Sequence, residues 1–335
     1  MEVIHGTVHA AFPIADPSRV GEARRHAVQL AHEAGMGEVD AGRVALVVTE
    51  LATNLLRHAK QGLLLLARTS SADVEVIALD KGPGMPDVAR SLRDGFSTGG
   101  TPGTGLGAVA RLADDFDIHS TVPEGTAVLA RVRSATSPAP VRSLRVGAVS
   151  VCAPGEVVCG DAWCFGLDGA RGSLLVADGL GHGPQAAEAA QAAVQAFMAD
   201  PFADCRAFVQ QAHHRLRSTR GAAIAVYRLD GDDASVQHAG AGNVLARLVS
   251  GVTDRTLVTQ HGTAGLTIRS VDVAQTPWPE HALLVAHSDG IESRWRPDAL
   301  APLLRRDPTL AAAVLLRDHS RGRDDATVAV IRRKD

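Results

Sequence analysis

The sequence predicts an α+β protein of two domains, each a layered sandwich of sheet and helix. Three observations predict it. A length of 335 residues favours two cores over one. A small, polar, proline-containing seam, Ser134-Ala135-Thr136-Ser137-Pro138-Ala139-Pro140, separates two periodic regions. On either side of it, apolar runs of strand length interleave with segments of helical period. The expected domains are therefore 1–133 and 142–335, with 134–141 as linker. The two sides share no motif order, so they are not copies of one unit.

In the first domain, Val3 to Phe12 reads as extended chain. Asp16 before Pro17 reads as an N-cap followed by proline at the first helical position, opening a helix that Gly35 stops near Ala34. A second helix is expected from about Val39 to His58. Leu63–Ala67, Val74–Leu79, Phe116–Ser120 and Ala127–Val132 read as strands, and Gly105–Leu112 as a short helix after a glycine-rich loop. The expected result is a mixed sheet with helices on one side. In the second domain, strands are expected near 144–152, 157–167 and 173–177. Helices at Pro184–Ala199 and Phe202–Leu216 follow. Further strands are expected near 222–229, 235–239, 244–249 and 282–287. Helices near 298–305 and 308–317 precede a last strand, Thr327–Arg332.

Composition narrows the function classes. Hydrophobic residues make up 45% but aromatics only 3%, so the cores must be built from Ala, Val and Leu. The net charge of −3 supplies no general attraction to nucleic acid or anionic membrane, and neither is expected as a partner. No basic segment followed by an apolar core opens the chain, and no apolar run approaches the ~20 residues of a membrane span. A soluble, cytoplasmic protein is expected. Cys152, Cys159, Cys164 and Cys205 form no C-x-x-C pair and have no spaced histidine partners, so they read as buried free thiols.

Two constellations carry chemistry. On the second helix, Val44, Val47, Val48, Leu51 and Leu55 form a buried stripe, while Glu50, Asn54 and His58, four residues apart, line another. A carboxylate and an amide on one face suit magnesium and a general base; a solvated helix face is the plainer reading. Asp80 ends an apolar strand above Gly82-Pro83-Gly84, where a carboxylate can accept a hydrogen bond from an adenine amino group. Ser97 to Gly107 then supplies glycines and hydroxyls, among them Thr98, Gly103, Thr104, Gly105, Leu106 and Gly107. Backbone amides there can approach phosphates, and the next helix offers its N-terminus.

In that order and spacing these residues resemble the GHKL (Bergerat) ATPase superfamily, and within it the bacterial anti-sigma-factor serine/threonine kinases of the RsbT and RsbW type. The resemblance covers roughly 1–133. It implies an ATP-binding α/β sandwich using ATP and Mg2+. Glu50 would be the catalytic base, Asn54 the magnesium ligand, Asp80 the adenine anchor, and Thr126 of Gly125-Thr126 a further adenine contact. Histidine kinases share the fold, but they need a helical dimerisation segment, for which the residues before Val39 leave little room. His58 reads as a site-lining or packing residue.

The second constellation is acidic. Asp161, Asp178, Asp289 and Asp324 lie far apart in sequence, yet each sits at the edge of an apolar strand. If these edges converge, like-charge repulsion demands cations. Two magnesium or manganese ions would then turn water into a nucleophile toward phosphorus. Each Asp-Gly taken singly is an ordinary turn signal. Gly160-Asp161-Ala162-Trp163-Cys164, Val176 to Gly183, Ser288-Asp289-Gly290 and Asp324-Asp325-Ala326-Thr327 resemble the PPM (PP2C-type) phosphatases of the SpoIIE and RsbX branch, over about 143–333.

That resemblance implies an α-β-β-α sandwich holding two Mn2+ or Mg2+. Its ligands would be Asp161, Asp178, Asp289, Asp324 and the Gly179 carbonyl, with Asp325 the near alternative to Asp324. Many relatives carry a second aspartate where Cys164 stands. His182 has two readings, orienting water or phosphate on the one hand, and packing or capping its loop on the other. Arg220, at the start of a strand, receives no role. Together the resemblances imply a bifunctional switch, a serine/threonine kinase joined to a phosphoserine/phosphothreonine phosphatase. The implied partner is a STAS-domain anti-sigma-factor antagonist or a stressosome-like protein, and related kinase domains often form homodimers. A nucleotide-gated partner-binding module without kinase activity, fused to an active phosphatase, is the alternative.

Overall fold

The computed structural model describes residues 1–93, 105–134, 142–252 and 254–333. The chain divides into two compact units. One is His9–Pro140; the other joins Met1–Val8 to Val141–Asp335. The first eight residues therefore lie with the C-terminal unit, not with the N-terminal domain in which the sequence reading put them. The extended stretch at Val3–Phe12 is two strands in two sheets. β1 (Glu2–His5) pairs antiparallel with a strand beginning at Asp161, and β2 (Ala10–Pro13) joins the sheet of the N-terminal unit. Each strand buries one large side chain, Ile4 and Phe12 respectively, in its own core.

In the N-terminal unit, α1 (Pro17–Glu33) starts where expected, with the Asp16 carboxylate accepting the Ser18 N–H at 2.8 Å. Its buried residues, Ala23, Ala27 and Ala31, recur every four positions. This small-residue stripe lets it lie close to α2 (Glu38–His58). The sheet comprises β2, β3 (Leu63–Arg68), β4 (Val74–Asp80), β5 (Asp115–Thr121) and β6 (Gly125–Val132), in the order β2-β3-β4-β6-β5. A one-turn helix, α3 (Val88–Ser91), and α4 (Gly105–Leu112) lie between β4 and β5. Every pairing is antiparallel, so the expected mixed sheet is corrected. Short returns join β3 to β4 and β5 to β6, which forces antiparallel neighbours. One sheet face and helices α1, α2 and α4 share a core of Ala23, Val44, Val48, Leu51, Leu64, Val76, Val109 and Val128.

The C-terminal unit is a sandwich of two antiparallel sheets. One sheet contains β1, β8 (Asp161–Asp168), β9 (Arg171–Gly179), β10 (Ala222–Asp230), β11 (Ser235–Ala241) and β16 (Ala274–Pro277). The other contains β7 (Leu144–Val151), β12 (Leu245–Val249), β13 (Asp254–Leu257), β17 (Leu283–His287) and β18 (Ala326–Arg333). A two-residue ladder joins β14 (Gly262–Thr263) to β15 (Thr267–Ile268). Between the sheets lie Phe165, Leu174, Val176, Tyr227, Leu284 and Ile331. Helices α5 (Pro184–Ala199) and α6 (Cys205–Arg215) cover the first sheet through Ala189, Ala193, Phe197 and Phe208. α7 (Pro308–His319) packs on β7 and β18 of the second. The layers are α-β-β-α.

Several boundaries differ from expectation. The strand expected from 157 starts at Asp161, because Val157 is 93% exposed and belongs to a loop. α6 begins at Cys205, where the Asp204 carboxylate accepts the Arg206 and Ala207 N–H groups. Pro297–Leu303 is a 3-10 segment, and Pro302 inside it removes a donor that an α-helix needs. β13 and β16 are short and mostly exposed, so neither carries the apolar run by which strands are recognised.

Candidate active sites

In the N-terminal unit, Glu50 and Asn54 sit one turn apart on α2, both half-buried, and both face the start of α4. A Cβ placed on Gly105 would stand 3.2 Å from Glu50 Oε2 and 3.5 Å from the Asn54 amide. The helix N-terminus that follows the glycine-rich loop is thus brought to the carboxylate and amide. Gly105 and Leu106 are half-buried there and Gly107 is buried. His58, two turns on from Glu50, is exposed. Thr98, Gly103 and Thr104 lie outside the described residues.

Asp80 closes β4 directly opposite Thr126 of β6. Its Oδ1 accepts the Gly82 N–H at 2.6 Å, which turns the chain sharply after the strand. Thr126 is buried and its hydroxyl lies 2.9 Å from that of Ser120, which accepts the Met85 N–H at 2.8 Å. Gly84 has φ +70°, and a Cβ there would meet the Thr121 carbonyl oxygen at 2.3 Å, so this turn requires glycine. The strand-end carboxylate, the buried threonine and the glycine turn form one wall. The Glu50–Asn54 pair beside a helix N-terminus suits a nucleotide's phosphates and their magnesium.

In the C-terminal unit the four aspartates come from four strand edges, as expected. Asp161 and Asp178 are directly opposite each other on β8 and β9. The Asp289 N–H bonds to the Asp178 carboxylate, and Asp324 is close enough to act on both Asp178 and Asp289. Burial, with repulsion from neighbouring carboxylates adding to it, pushes Asp178 up to about 9 and raises Asp289, and burial pushes Asp161 up to about 7 against the opposing hydrogen bonds of Ser288 and Thr327. Such a cluster is disfavoured as anions in the absence of cations, so the donor set fits divalent metals. The Gly179 carbonyl is at the same edge. A Cβ on Gly179 would lie 2.0 Å from the Ala186 carbonyl oxygen, so this Asp-Gly reflects close packing of α5 against β9 rather than a turn.

A hydrogen-bond network that sequence reasoning missed fixes Asp161. Ser288 Oγ donates to Asp161 Oδ2 at 2.6 Å and accepts the Thr327 N–H at 3.0 Å. The Thr327 hydroxyl bonds to Asp161 and lies 2.7 Å from that of Ser150. Asn243 donates to Asp289. Ser288 and Thr327 stand beside the aspartates in sequence, but hydroxyls carry no signal of their own there.

Asp324 and Asp325 divide the work. Asp325 is buried, and its two oxygens accept the Ala153 N–H at 2.8 Å and the Gly160 N–H at 2.9 Å. It braces the loop, while Asp324 faces the other carboxylates. Cys164 lies on the opposite face of β8 from Asp161, fully buried among Leu175, Phe197 and Phe208. An aspartate at that position would enter the helix-side core of this unit, away from the carboxylates. His182 is exposed and its Nδ1 lies 2.6 Å from Glu156, a loop-to-loop contact. Arg220 is exposed, and a Cβ on Gly181 would lie 3.3 Å from its Nη1, which sets a cation beside the loop after Asp178. A cavity of about 90 Å³ runs along Asp161, walled by His5, Thr7, Val8, Trp163 and Gln191. No helix among the described residues is long and apolar enough to cross a membrane.

Two family models match separate stretches of the chain. Residues 14–132 match the histidine kinase-like ATPase domain, and residues 168–334 match stage II sporulation protein E (SpoIIE). The serine/threonine-protein kinase RsbT of Bacillus subtilis (strain 168) is 39% identical over 111 residues, which are 32% of this chain and 84% of RsbT. A chain solved in work on the bacterial stressosome, described there as a modular system adapted to control secondary messenger signaling, is 31% identical. That match covers 56% of this chain and 99% of the other, with a TM-score of 0.54. RsbX in complex with magnesium matches in fold, at 18% identity over 58% of this chain and 98% of its own, with a TM-score of 0.53.

Proposed function

We propose a function for a chain that belongs to the RsbT-type serine/threonine kinases in its N-terminal unit and to the SpoIIE-type, PP2C-fold phosphatases in its C-terminal unit. It adds a phosphoryl group to, and removes one from, a serine or threonine of a STAS-domain regulator in a sigma-factor or stressosome-like pathway. The observation that carries the phosphatase half is the gathering of buried Asp161 with half-buried Asp178 and Asp289, whose charges act on one another, with Asp324 beside them. The kinase half rests on the meeting of Glu50 and Asn54 with the start of α4.

In the kinase reaction, Glu50 removes the proton of the attacking hydroxyl as its oxygen bonds to the γ-phosphorus and the bond to the β-phosphate oxygen breaks. Asn54 is the residue that would hold magnesium, and Asp80 with Thr126 would hold adenine. Positioning of the phosphates by the α4 N-terminus supplies most of the remaining advantage. In the phosphatase, Asp161, Asp178, Asp289, Asp324 and the Gly179 carbonyl would hold two divalent cations. When bound, those ions supply an activated water and neutralise the phosphate charge. Ser288 and Thr327 keep Asp161 oriented, and Arg220, beside the loop after Asp178, would receive a phosphate oxygen.

The test uses the full chain, γ-labelled ATP and a purified STAS-domain protein. Label should transfer to that protein and should stop transferring in Glu50→Ala and Asn54→Ala. Manganese should then release it, and release should vanish in Asp178→Ala. Nucleotide-dependent binding with no transfer would replace the kinase by a binding module. Release that persists in Asp178→Ala would refute the carboxylate assignment.

A further inference from the structure

Two of the four cysteines, which have no recognisable spacing in sequence, meet in space beside the carboxylate cluster. Cys152 follows the end of β7, and Cys159 stands just before Gly160-Asp161. The loop between them folds back so that their two Sγ atoms and one Asp325 carboxylate oxygen all lie within 4.8 Å of one another. Among the described residues this is the one group of three metal-ligating side chains drawn together so tightly. No three of Asp161, Asp178, Asp289 and Asp324 come together within that distance.

The donors are held in place. Asp325 is fixed by the Ala153 N–H at one end of the loop and the Gly160 N–H at the other, and each oxygen keeps a second lone pair. Cys159 is buried, with its sulfur near the Val151 carbonyl and the Ser150 hydroxyl. Cys152 is half-buried, which leaves a way in from solvent.

We infer that Cys152, Cys159 and Asp325 form a site for a thiophilic divalent ion, zinc in the first instance, distinct from the all-oxygen cluster beside it. Two sulfurs and one carboxylate are a donor set for zinc or cadmium, whereas magnesium and manganese prefer oxygen. Donors around one zinc ion stand roughly 3.5–4 Å apart, given bond lengths of about 2.0–2.3 Å, so only a small contraction is needed. A disulfide would engage only the two sulfurs and leave the Asp325 carboxylate to its two backbone N–H groups. On binding, two S–H bonds release their protons to solvent and two Zn–S bonds form, with no change of oxidation state. Because Asp325 also holds the Gly160 N–H, a filled site stiffens the turn that carries Asp161. The inference does not depend on the phosphatase reading.

The experiment uses the reduced full chain in excess magnesium, titrated with zinc against a chromogenic chelator and, separately, with cadmium. One equivalent of tightly held ion is expected, together with a thiolate-to-cadmium charge-transfer band and release of protons. Cys152→Ser and Cys159→Ser should each weaken binding about 10-fold or more and abolish the band. Cys205→Ser and Asp178→Asn should retain it. If the serine variants fail to fold, alkylation of Cys152 in the unsubstituted protein is the second measure, and zinc should slow it by an order of magnitude. Ion bound without a thiolate band, a band that survives both serine variants, or an unchanged alkylation rate would overturn the site. Conversion of the two thiols to a disulfide with no zinc retained would do the same.

Discussion

Replacing Ser288 by alanine removes one oxygen and tests how the phosphatase half is built. Ser288 is fully buried and its Oγ serves two groups, Asp161 at 2.6 Å and the Thr327 N–H at 3.0 Å. Losing the hydroxyl leaves a buried N–H without a partner, at about 1–3 kcal/mol, and removes a hydrogen bond to a carboxylate worth about 1.5–3 kcal/mol. The two losses overlap, because both groups relax toward the space vacated. A net destabilisation of about 3 kcal/mol is expected, on the order of 100-fold in the folding equilibrium. Asp161 also loses a group that lowers its pKa, so its carboxyl should move further up and hold metal about 10–100-fold less tightly. Denaturant unfolding of the full chain reads the first effect, and manganese titration of phosphatase activity reads the second. A Ser288→Ala protein within about 0.5 kcal/mol of the parent and with the same manganese dependence would refute the claim that this hydroxyl organises Asp161.

Three further predictions follow from the same geometry. Asp161 and Asp178 have folded pKa values raised above the ordinary 3.8, so their contribution to the stability of metal-free protein is largest below that value. It is lost as pH rises through the raised values, and thermal melting with and without manganese should show the slope only in the metal-free sample. Gly179→Ala should destabilise by about 3 kcal/mol or more, because the new Cβ would lie 2.0 Å from a backbone oxygen of α5; a soluble, fully active variant would show that α5 gives way freely. Finally, residues 142–335 alone keep all four aspartates but lack β1. They should melt well below a version in which residues 1–8 are rejoined to Arg142 by a short flexible linker. Equal melting temperatures would mean that β1 is dispensable.

Much of this was legible in the sequence because strand-edge acids and glycine turns are local signals. Asp178 ends an apolar run and precedes a glycine, and both facts survive in the structure with a changed cause for the glycine. The Asp80–Gly84 turn and the Glu50–Asn54 face were legible for the same reason. What was not legible depends on contacts between distant segments. Nothing local in Glu2–His5 says that it pairs with β8 rather than with its neighbours in sequence. The face on which Cys164 lies follows from strand register, which a single residue does not reveal. The approach of Cys152 to Cys159 depends on Asp325, far along the chain, tying both ends of their loop. Ser288 directly follows β17, and nothing local marks its hydroxyl, because its role depends on partners from β8 and β18.

The pairing of β1 with β8 also sets an order of events during synthesis. Residues 2–5 leave the ribosome long before Asp161–Asp168 exist to receive them. At roughly 5–20 residues per second, the delay is on the order of ten seconds or more. During that interval the whole of His9–Pro140 emerges and can fold, while the first strand waits unpaired. The six-stranded sheet that carries Asp161 and Asp178 closes only afterwards. A nascent chain would therefore own a complete nucleotide-binding unit before it owned a complete carboxylate cluster, and an interruption of translation between the two would leave the first without the second.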